Sequence, residues 1–369
     1  MRVCIIGSRG FPVVYSGYET LVAHLAPGLV RRGFEVTVYC HRHLFDQRPR
    51  EVDGVRLVYL PGLRGKRFAQ YSHTACAALH AIRRQFDVAL VLNVANGLFV
   101  PLLNASGTAT VVNVDGVEWK RPKWSGLGSR VFRVAAGIAS RRSTALVTDA
   151  EAMRLLYLQE YRRESTVIAY GADVPAMAEI TFPAALASYG LTPGGYVLIL
   201  GRLIPDNNGE LLLRAYLESG VAERLVVVGD VPYRDQYATD LRRLGGDRVL
   251  FTGYVTDQNV LRALVGNARL YLHGHEFGGT NPSLLLAMST GVPIVALDTA
   301  FAREVLPEDP GVDFFPKQVR EAAATIRRCV IDAPTAPVEA LRERVRSRYQ
   351  WARIVDEYAG LLESVASVR

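Results

Sequence analysis

The chain has 369 residues, which is long for one hydrophobic core and predicts two domains. It is 49% hydrophobic and 21% charged, a composition typical of a globular protein rather than of a disordered or fibrous chain. Its formal net charge of +7 favours anionic partners such as nucleotides or an acidic membrane surface. The basic clusters are short and have no interleaved aromatic pattern, so the sequence does not predict nucleic-acid binding.

Cysteine spacing and hydropathy predict a cytoplasmic protein. Cys4, Cys40, Cys76 and Cys329 have no paired spacing, which indicates reduced thiols rather than disulfides or metal ligands. The N-terminal sequence enters a strand directly, so we expect no signal peptide. The most apolar segment, residues 88–103, is interrupted by Asn, Gly and Pro and is too short to span a bilayer. Any membrane contact is therefore expected to be peripheral.

The order of the predicted elements indicates an α/β protein. Short β-branched runs alternate with longer amphipathic stretches, which is typical of βαβ units and a mostly parallel sheet. A first series of strands is predicted at residues 3–6, 36–39, 55–59, 88–92, 109–113, 145–147 and 166–168, with helices at 19–32, 67–86, 129–141 and 150–160. A second series of strands is predicted at residues 196–200, 224–228, 249–252, 268–272 and 292–296.

A segment rich in Pro and Gly, residues 173–193, separates the two series and predicts a linker. We therefore expect two Rossmann-like domains, residues 1–174 and 175–345. A C-terminal helical segment, residues 346–369, is expected to pack across their junction. Two such sheets in tandem create a cleft between the carboxyl ends of their strands, where ligands of this fold class bind.

The stretch from Tyr271 to Met288 carries the strongest prediction of a binding site. Its buried strand ends at His-Gly-His-Glu, a polar cluster with no place in a core. The turn that follows contains Gly278, Gly279, Thr280, Asn281, Pro282 and Ser283. Two glycines permit a tight turn, Thr280 or Asn281 can cap a helix, and proline is well tolerated in a first helical turn. The predicted strand, turn and helix N-terminus form a site suited to phosphate.

Other strand ends carry glycine turns and charged or aromatic side chains. A glycine loop around Arg9 follows the first strand and leads to Gly17, which opens a helix. Arg202 follows a strand of the second series, where a guanidinium is well placed for a diphosphate. Further strand-end turns on the same edge contain Gly229, Tyr254 and Val255.

The segment 113–124 combines two Trp, two carboxylates and three cations, which suits sugar recognition by stacking and hydrogen bonding. The sequence has no Asp-x-Asp pair, no His-x-x-x-His and no paired Cys, so we expect no bound metal. It also lacks a Gly-x-Ser-x-Gly elbow and a Walker loop, which weakens hydrolase and NTPase interpretations.

Several motifs together resemble the GT-B glycosyltransferases, specifically the large retaining family numbered four. The closest resemblance is to its bacterial polysaccharide rhamnosyltransferases, and it covers nearly the whole chain. The motifs are Gly-Ser-Arg-Gly-Phe-Pro, Tyr-Ser-Gly-Tyr-Glu-Thr, Asp-Gly-Val-Glu-Trp-Lys-Arg-Pro-Lys-Trp, Pro-Asp-Asn-Asn and His-Gly-His-x-x-Gly-Gly-Thr-Asn-Pro-Ser-Leu-Leu. The resemblance implies a nucleotide-sugar donor held mainly by the second domain and an acceptor held mainly by the first.

The resemblance also implies roles for individual residues. Gly17 would face the diphosphate or the acceptor, and Asp115 would lie near the reacting sugar. Arg202 would neutralise the leaving diphosphate, while Glu276 and residues 278–283 would contact the donor sugar and phosphates. By family analogy, the transfer retains anomeric configuration by front-face attack, with electrostatic stabilisation of the leaving group.

Three positions depart from the family pattern. Asn207 stands where the wider family has a Lys, so one phosphate-neutralising charge is missing, and Arg9, Arg303 or His275 are the candidates to replace it.

Ser16 stands where relatives usually have the first of two glycines, which narrows the space for phosphate. Leu286 replaces the Glu that binds the ribose hydroxyls, which fits a deoxyribose donor such as a dTDP-sugar and equally fits a degenerate copy.

The sequence therefore predicts a metal-independent retaining glycosyltransferase. It would transfer rhamnose or a related deoxysugar from a nucleotide donor to a glycan or lipid-linked acceptor, without a separate cofactor. A nucleotide-sugar epimerase and a non-catalytic pseudo-glycosyltransferase are the alternatives. The basic surface fits either peripheral docking on the anionic inner membrane face or simple solubility. The acceptor, linkage and oligomeric state are not specified by the sequence.

Overall fold

The computed structural model describes residues 1–12, 17–63, 69–114, 116, 127–231, 235–334 and 336–367. The chain forms two compact units. The first comprises Met1–Gly171 together with Trp351–Arg369, and the second comprises Ala172–Gln350.

The first unit is built on a mostly parallel sheet. Its strands are β1 Arg2–Ile6, β2 Glu35–His41, β3 Glu51–Val52, β4 Val55–Leu60, β5 Val88–Leu92, β6 Ala109–Val114, β7 Ala145–Thr148 and β8 Thr166–Val167. Its helices up to the second unit are α1 Gly17–Arg31, α2 Ala69–Arg84, α3 Val100–Ala105, α4 Leu127–Arg142 and α5 Glu151–Tyr161, with 3-10 turns at Arg42–Leu44 and Val94–Phe99.

Within the described ranges, the first sheet has eight strands in the order β3-β4-β2-β1-β5-β6-β7-β8. Strand β1 lies near its centre, where Val3 pairs with Val36 on one side and Val88 on the other. The neighbouring strands are parallel except β3 and β4. The sequence analysis did not predict β3, because its two residues, Glu51 and Val52, do not form an apolar run.

The second unit repeats this architecture. Its strands are β9 Tyr196–Leu200, β10 Arg224–Val228, β11 Val249–Gly253, β12 Leu270–His273, β13 Ile294–Leu297 and β14 Val312–Phe315. Its helices are α6 Met177–Ile180, α7 Pro183–Ala187, α8 Gly209–Ser219, α9 Gln236–Gly245, α10 Gln258–Gly266, α11 Pro282–Thr290, α12 Ala300–Val305, α13 Val319–Asp332 and α14 Glu339–Arg344, followed by a π-helical turn at Val345–Tyr349.

Among the residues described for the second unit, six parallel strands run in the order β11-β10-β9-β12-β13-β14. Strands β9 and β12 are neighbours, so the loops that follow them leave the same edge of the sheet side by side. The predicted α/β class with two Rossmann-like sheets is confirmed. Strand β14 was not predicted, because Asp313 interrupts its apolar run.

The segment predicted as a linker, residues 173–193, contains α6 and α7. Both helices contact α10, and Ile180 and Leu186 are buried. The Asn267 side chain donates a hydrogen bond to the Ile180 carbonyl at 2.9 Å. This part of the predicted linker is therefore folded onto the second unit, because its apolar side chains outweigh the turn signals of its prolines.

The last helix, α15 Trp351–Ser367, packs against α1 of the first unit, although it follows the second unit in sequence. The Val355 side chain packs on Gly28, and a Cβ added to Gly28 would come within 2.8 Å of the Val355 side chain. The buried Tyr358 hydroxyl accepts a hydrogen bond from the Asn113 side chain at 2.6 Å. The chain therefore returns to its first sheet. No helix in the described ranges is long and apolar enough to cross a bilayer.

Candidate functional site

The carboxyl ends of β9 and β12 bring two polar loops together. The Asn208 side chain donates to the Gly274 carbonyl at 2.9 Å, and the Glu276 main-chain N–H donates to the Asp206 carbonyl at 3.2 Å. A Cβ on Gly274 would come within 2.6 Å of the Asn207 carbonyl, so this close approach requires glycine. Residues that are separated by about seventy positions in sequence therefore form one surface.

Arg202 lies at the carboxyl end of β9 and is exposed. Its carbonyl accepts a hydrogen bond from the Asn207 side chain at 2.8 Å, which ties down the backbone of the loop. Its guanidinium has no ion-pair or hydrogen-bond partner among the described residues. An unpaired guanidinium at this edge is available to an incoming anion.

Helix α11 begins beside this loop, and its cap is well formed. Asn281 is the N-cap residue, and its side-chain oxygen accepts from the Ser283 N–H at 3.1 Å and from the Ser283 hydroxyl at 2.7 Å. Gly278 precedes the cap with φ +121°, a conformation that favours glycine. Gly279 and Thr280 are buried in the same turn. The sequence analysis left Thr280 and Asn281 as alternative caps, and the structure assigns the cap to Asn281.

A buried polar network supports the helix start from below. The Tyr271 hydroxyl lies 3.2 Å from His273 Nδ1 and 3.4 Å from Ser283 Oγ. The His273 and His275 rings are stacked with centroids 4.6 Å apart. Burial lowers the pKa of His273 to about 3 and raises that of Tyr271, so both stay neutral near pH 7. The sequence analysis missed Tyr271 and His273 as supports, although their spacing of two residues along β12 places both on one face.

Glu276 is the acidic group of this surface. Its Oε2 accepts from Lys317 Nζ at 2.5 Å and from the Asn208 side chain at 3.3 Å. Lys317 lies between β14 and α13, so its approach to Glu276 was not foreseen from the sequence, which gave no signal for β14. Glu276 Oε1 has no hydrogen-bond partner within the described ranges.

Gly229, Tyr254 and Val255 lie at the ends of β10 and β11, on the other side of β9. The Gly229 N–H donates to the Gly253 carbonyl at 2.9 Å, and its backbone packs directly on Gly201. Tyr254 is exposed and Val255 is half-buried. These residues border the surface formed by the β9 and β12 loops.

In the first unit, Arg9 follows β1 and Gly17 begins α1. The Arg9 N–H donates to Glu19 Oε1 at 2.8 Å, and its carbonyl accepts from the His41 N–H at 3.0 Å. His41 stacks on His73 with centroids 3.7 Å apart, and burial is the main cause that lowers their pKa values to about 3 and about 4.

Several sequence predictions fall outside the described residues. They are Asp115, the Tyr15-Ser16 part of the glycine loop and the Trp-rich segment 117–124. Within the ranges that the structure does describe, no three His, Cys, Asp or Glu side chains are grouped to hold a metal ion.

The Asn281 cap yields a stability prediction. Asn281→Ala is expected to lower the free energy of unfolding by about 1 kcal/mol, because the Ser283 N–H loses its acceptor. Denaturant unfolding at neutral pH checks this value. Asn281→Asp retains an acceptor at the same place and should stay close to wild type, so equal losses in both variants would contradict the capping role.

Comparisons with known proteins agree with this architecture. Residues 194–332 match the family described as Glycosyl transferases group 1, and residues 1–173 match a family described as a domain of unknown function. The first of these matches lies within the second unit.

Among characterised relatives, the chain is 27% identical over 210 residues to the O-antigen chain mannosyltransferase B of Escherichia coli. The match covers 55% of this chain and 54% of the relative, so the chain spans about half the length of that protein.

Two solved structures share the whole fold. The sucrose-phosphate synthase of Thermosynechococcus elongatus superposes with a TM-score of 0.84 at 15% identity and full coverage of both chains. The HepE protein of Anabaena, in complex with UDP-glucose, superposes with a TM-score of 0.77 at 17% identity, covering 98% of this chain and 99% of that one. The fold is that of the GT-B glycosyltransferases.

Proposed function

We propose that the protein transfers a sugar from a nucleotide-sugar donor to a glycan or lipid-linked acceptor. The match of residues 194–332 to the glycosyl transferases group 1 family is the starting point of this proposal. The observation that carries this proposal is the convergence of an unpaired Arg202, the capped start of α11 and Glu276 on one edge of the second sheet. A guanidinium and a helix N-terminus together suit a diphosphate, and a carboxylate oxygen suits sugar hydroxyls.

The proposed chemistry needs no protein nucleophile. The bond between the anomeric carbon and the donor phosphate oxygen breaks, and the acceptor hydroxyl oxygen bonds to that carbon from the same face. The acceptor proton passes to the departing phosphate oxygen. Arg202 and the N–H groups of α11 would stabilise the charge that develops on the diphosphate, as electrostatic catalysis requires. Retention of configuration and independence of metal are parts of this proposal.

A dTDP-deoxysugar, with rhamnose favoured, is the donor we propose. The motif resemblance to rhamnosyltransferases supports it, and so does Leu286, which is half-buried on α11 and cannot accept hydrogen bonds from ribose hydroxyls. A donor without the 2′-hydroxyl loses the least binding free energy beside a leucine, because it has one hydroxyl fewer to leave without an acceptor. The similarity to an O-antigen chain mannosyltransferase supports a polysaccharide acceptor. Docking on the inner membrane face belongs to the same proposal, since a lipid-linked acceptor would lie there.

Calorimetry with dTDP, UDP, GDP and ADP tests the donor site. We expect dTDP to bind most tightly to the wild type. Leu286→Glu should improve UDP binding about tenfold relative to dTDP, because the new carboxylate can accept from the 2′-hydroxyl. The absence of binding by any nucleotide would contradict the transferase proposal.

Product analysis then separates transfer from the alternatives. Release of dTDP from dTDP-rhamnose only when acceptor is present supports a transferase. An epimerase would instead interconvert nucleotide sugars without acceptor, and none of the relatives named above is described as one. A protein that binds donor but never turns it over, even as Leu286→Glu, would be a non-catalytic copy.

A further inference from the structure

The surface formed by the β9 and β12 loops has little positive charge for a site that would bind a diphosphate. Asn207 stands after β9, and its side-chain amide is already committed to the Arg202 carbonyl at 2.8 Å. A neutral amide cannot balance a diphosphate. Without a further cation, Arg202 stands against the carboxylates of Asp206 and Glu276 in the described β9 and β12 loops, a balance poorly suited to a multiply charged nucleoside diphosphate.

Two of the side chains that were candidates for the missing charge are engaged elsewhere. Arg303 makes a two-pronged ion pair with Asp298 at 2.6 and 2.8 Å, and its guanidinium lies 4.4 Å from the centre of the Phe314 ring. His275 stacks on the buried, neutral ring of His273. Arg9, the third candidate, belongs to the first unit.

Lys317 is ion-paired as well, but its partner is Glu276, which belongs to the surface formed by the β9 and β12 loops. It follows β14, whose carboxyl end lies on the same edge as those of β9 and β12 because all six strands are parallel. Its Nζ contacts Glu276 Oε2 at 2.5 Å, while its side chain remains 54% exposed. The chain has only four lysines among 43 basic residues, so this position departs from its general use of arginine. Lysine offers a compact charge on a flexible stem, which suits contact with phosphate oxygens.

We propose that Lys317 is a donor-binding residue that supplies the second positive charge of this surface. It would replace the lysine that the wider family has at the position of Asn207. In the free protein it neutralises Glu276 and, together with Asn208, holds Oε2, which leaves Oε1 for a sugar hydroxyl. When a nucleoside diphosphate binds beside Arg202, the ammonium contributes to balancing its charge. The inference rests on the proposed function and names a residue of that same site.

The test compares Lys317→Gln with a matched control. Arg328 forms an equivalent ion pair with Asp313 between β14 and α13, and the two side chains are 55% and 31% exposed, against 54% and 29% for Lys317 and Glu276. By calorimetry at low salt, Lys317→Gln should bind the preferred nucleoside diphosphate about tenfold more weakly than wild type. Arg328→Gln should stay within about twofold of wild type. Lys317→Arg should retain most of the affinity.

The loss should be larger for the nucleoside diphosphate than for its monophosphate, a difference that a purely structural role would not produce. The double variant Lys317→Gln/Asn207→Lys, which places a lysine at position 207 instead, should restore diphosphate binding. Unchanged binding by Lys317→Gln, an equal loss in Arg328→Gln, or failure of the double variant to recover would overturn the inference. If the wild type itself binds no nucleotide, the proposed function fails first, so the two failures are distinguishable.

Discussion

Arg202→Ala is expected to slow glycosyl transfer by about 10²- to 10³-fold, the loss typical when one preorganised group that stabilises developing charge is removed. In the wild type, the guanidinium has no ion-pair partner among the described residues, so its whole charge is available to the leaving diphosphate. The same absence of partners means that the substitution should hardly change stability. Turnover of the donor under saturating acceptor measures the effect, and a melting curve shows that the protein remains folded.

Two further variants separate charge from geometry at this position. Arg202→Lys keeps the charge but loses the two-pronged fork, so its rate should lie between wild type and Arg202→Ala. Arg214→Ala is the matched control, because Arg214 belongs to the adjoining helix α8 and, among the residues that the structure describes, forms an ion pair only with Glu210, at 2.8 Å on the surface. That variant should retain wild-type turnover. A rate for Arg202→Ala within about threefold of wild type would remove Arg202 from the proposed mechanism.

The parallel sheets were predictable because their signals are local. Buried β-branched runs such as Val88–Leu92 and Tyr196–Leu200 read as strands without knowledge of their partners. The same reasoning predicted that the ends of β9 and β12 share an edge, since parallel strands place their carboxyl ends together. The capped start of α11 was also readable, because glycine, asparagine and proline each have a positional preference there.

Features that depend on contacts distant in sequence were not predictable. Lys317 reaches Glu276 across one intervening strand, β13, and nothing near residue 317 indicates that partner. The packing of α6 and α7 on α10 was hidden, because their prolines and glycines gave a linker signal. The contacts of Tyr271 with His273 and with Ser283 could not be predicted from the sequence, because they depend on how β12 packs against the start of α11.

Gly229→Ala is expected to lower the free energy of unfolding by about 3 kcal/mol or more, the largest loss among the substitutions considered. Gly229 has φ +122°, and a Cβ there would lie 2.2 Å from the Gly201 carbonyl oxygen, which is a backbone atom that no side-chain rotation can move away. Relief requires the end of β9 or of β10 to shift. Because Arg202 directly follows Gly201, such a shift should also weaken nucleotide binding.

Gly253→Ala separates steric overlap from backbone strain. Gly253 pairs with Gly229 and also has positive φ, +71°, but a Cβ there would meet nothing within 4 Å. Gly253→Ala should therefore lower the free energy of unfolding by only about 1 kcal/mol, the penalty for alanine in the left-handed conformation, and should leave nucleotide affinity unchanged. Denaturant unfolding and calorimetry on the two variants decide the matter. If Gly253→Ala proves as damaging as Gly229→Ala, conformational strain alone explains both losses, and the tight contact between the ends of β9 and β10 has no special role in placing Arg202.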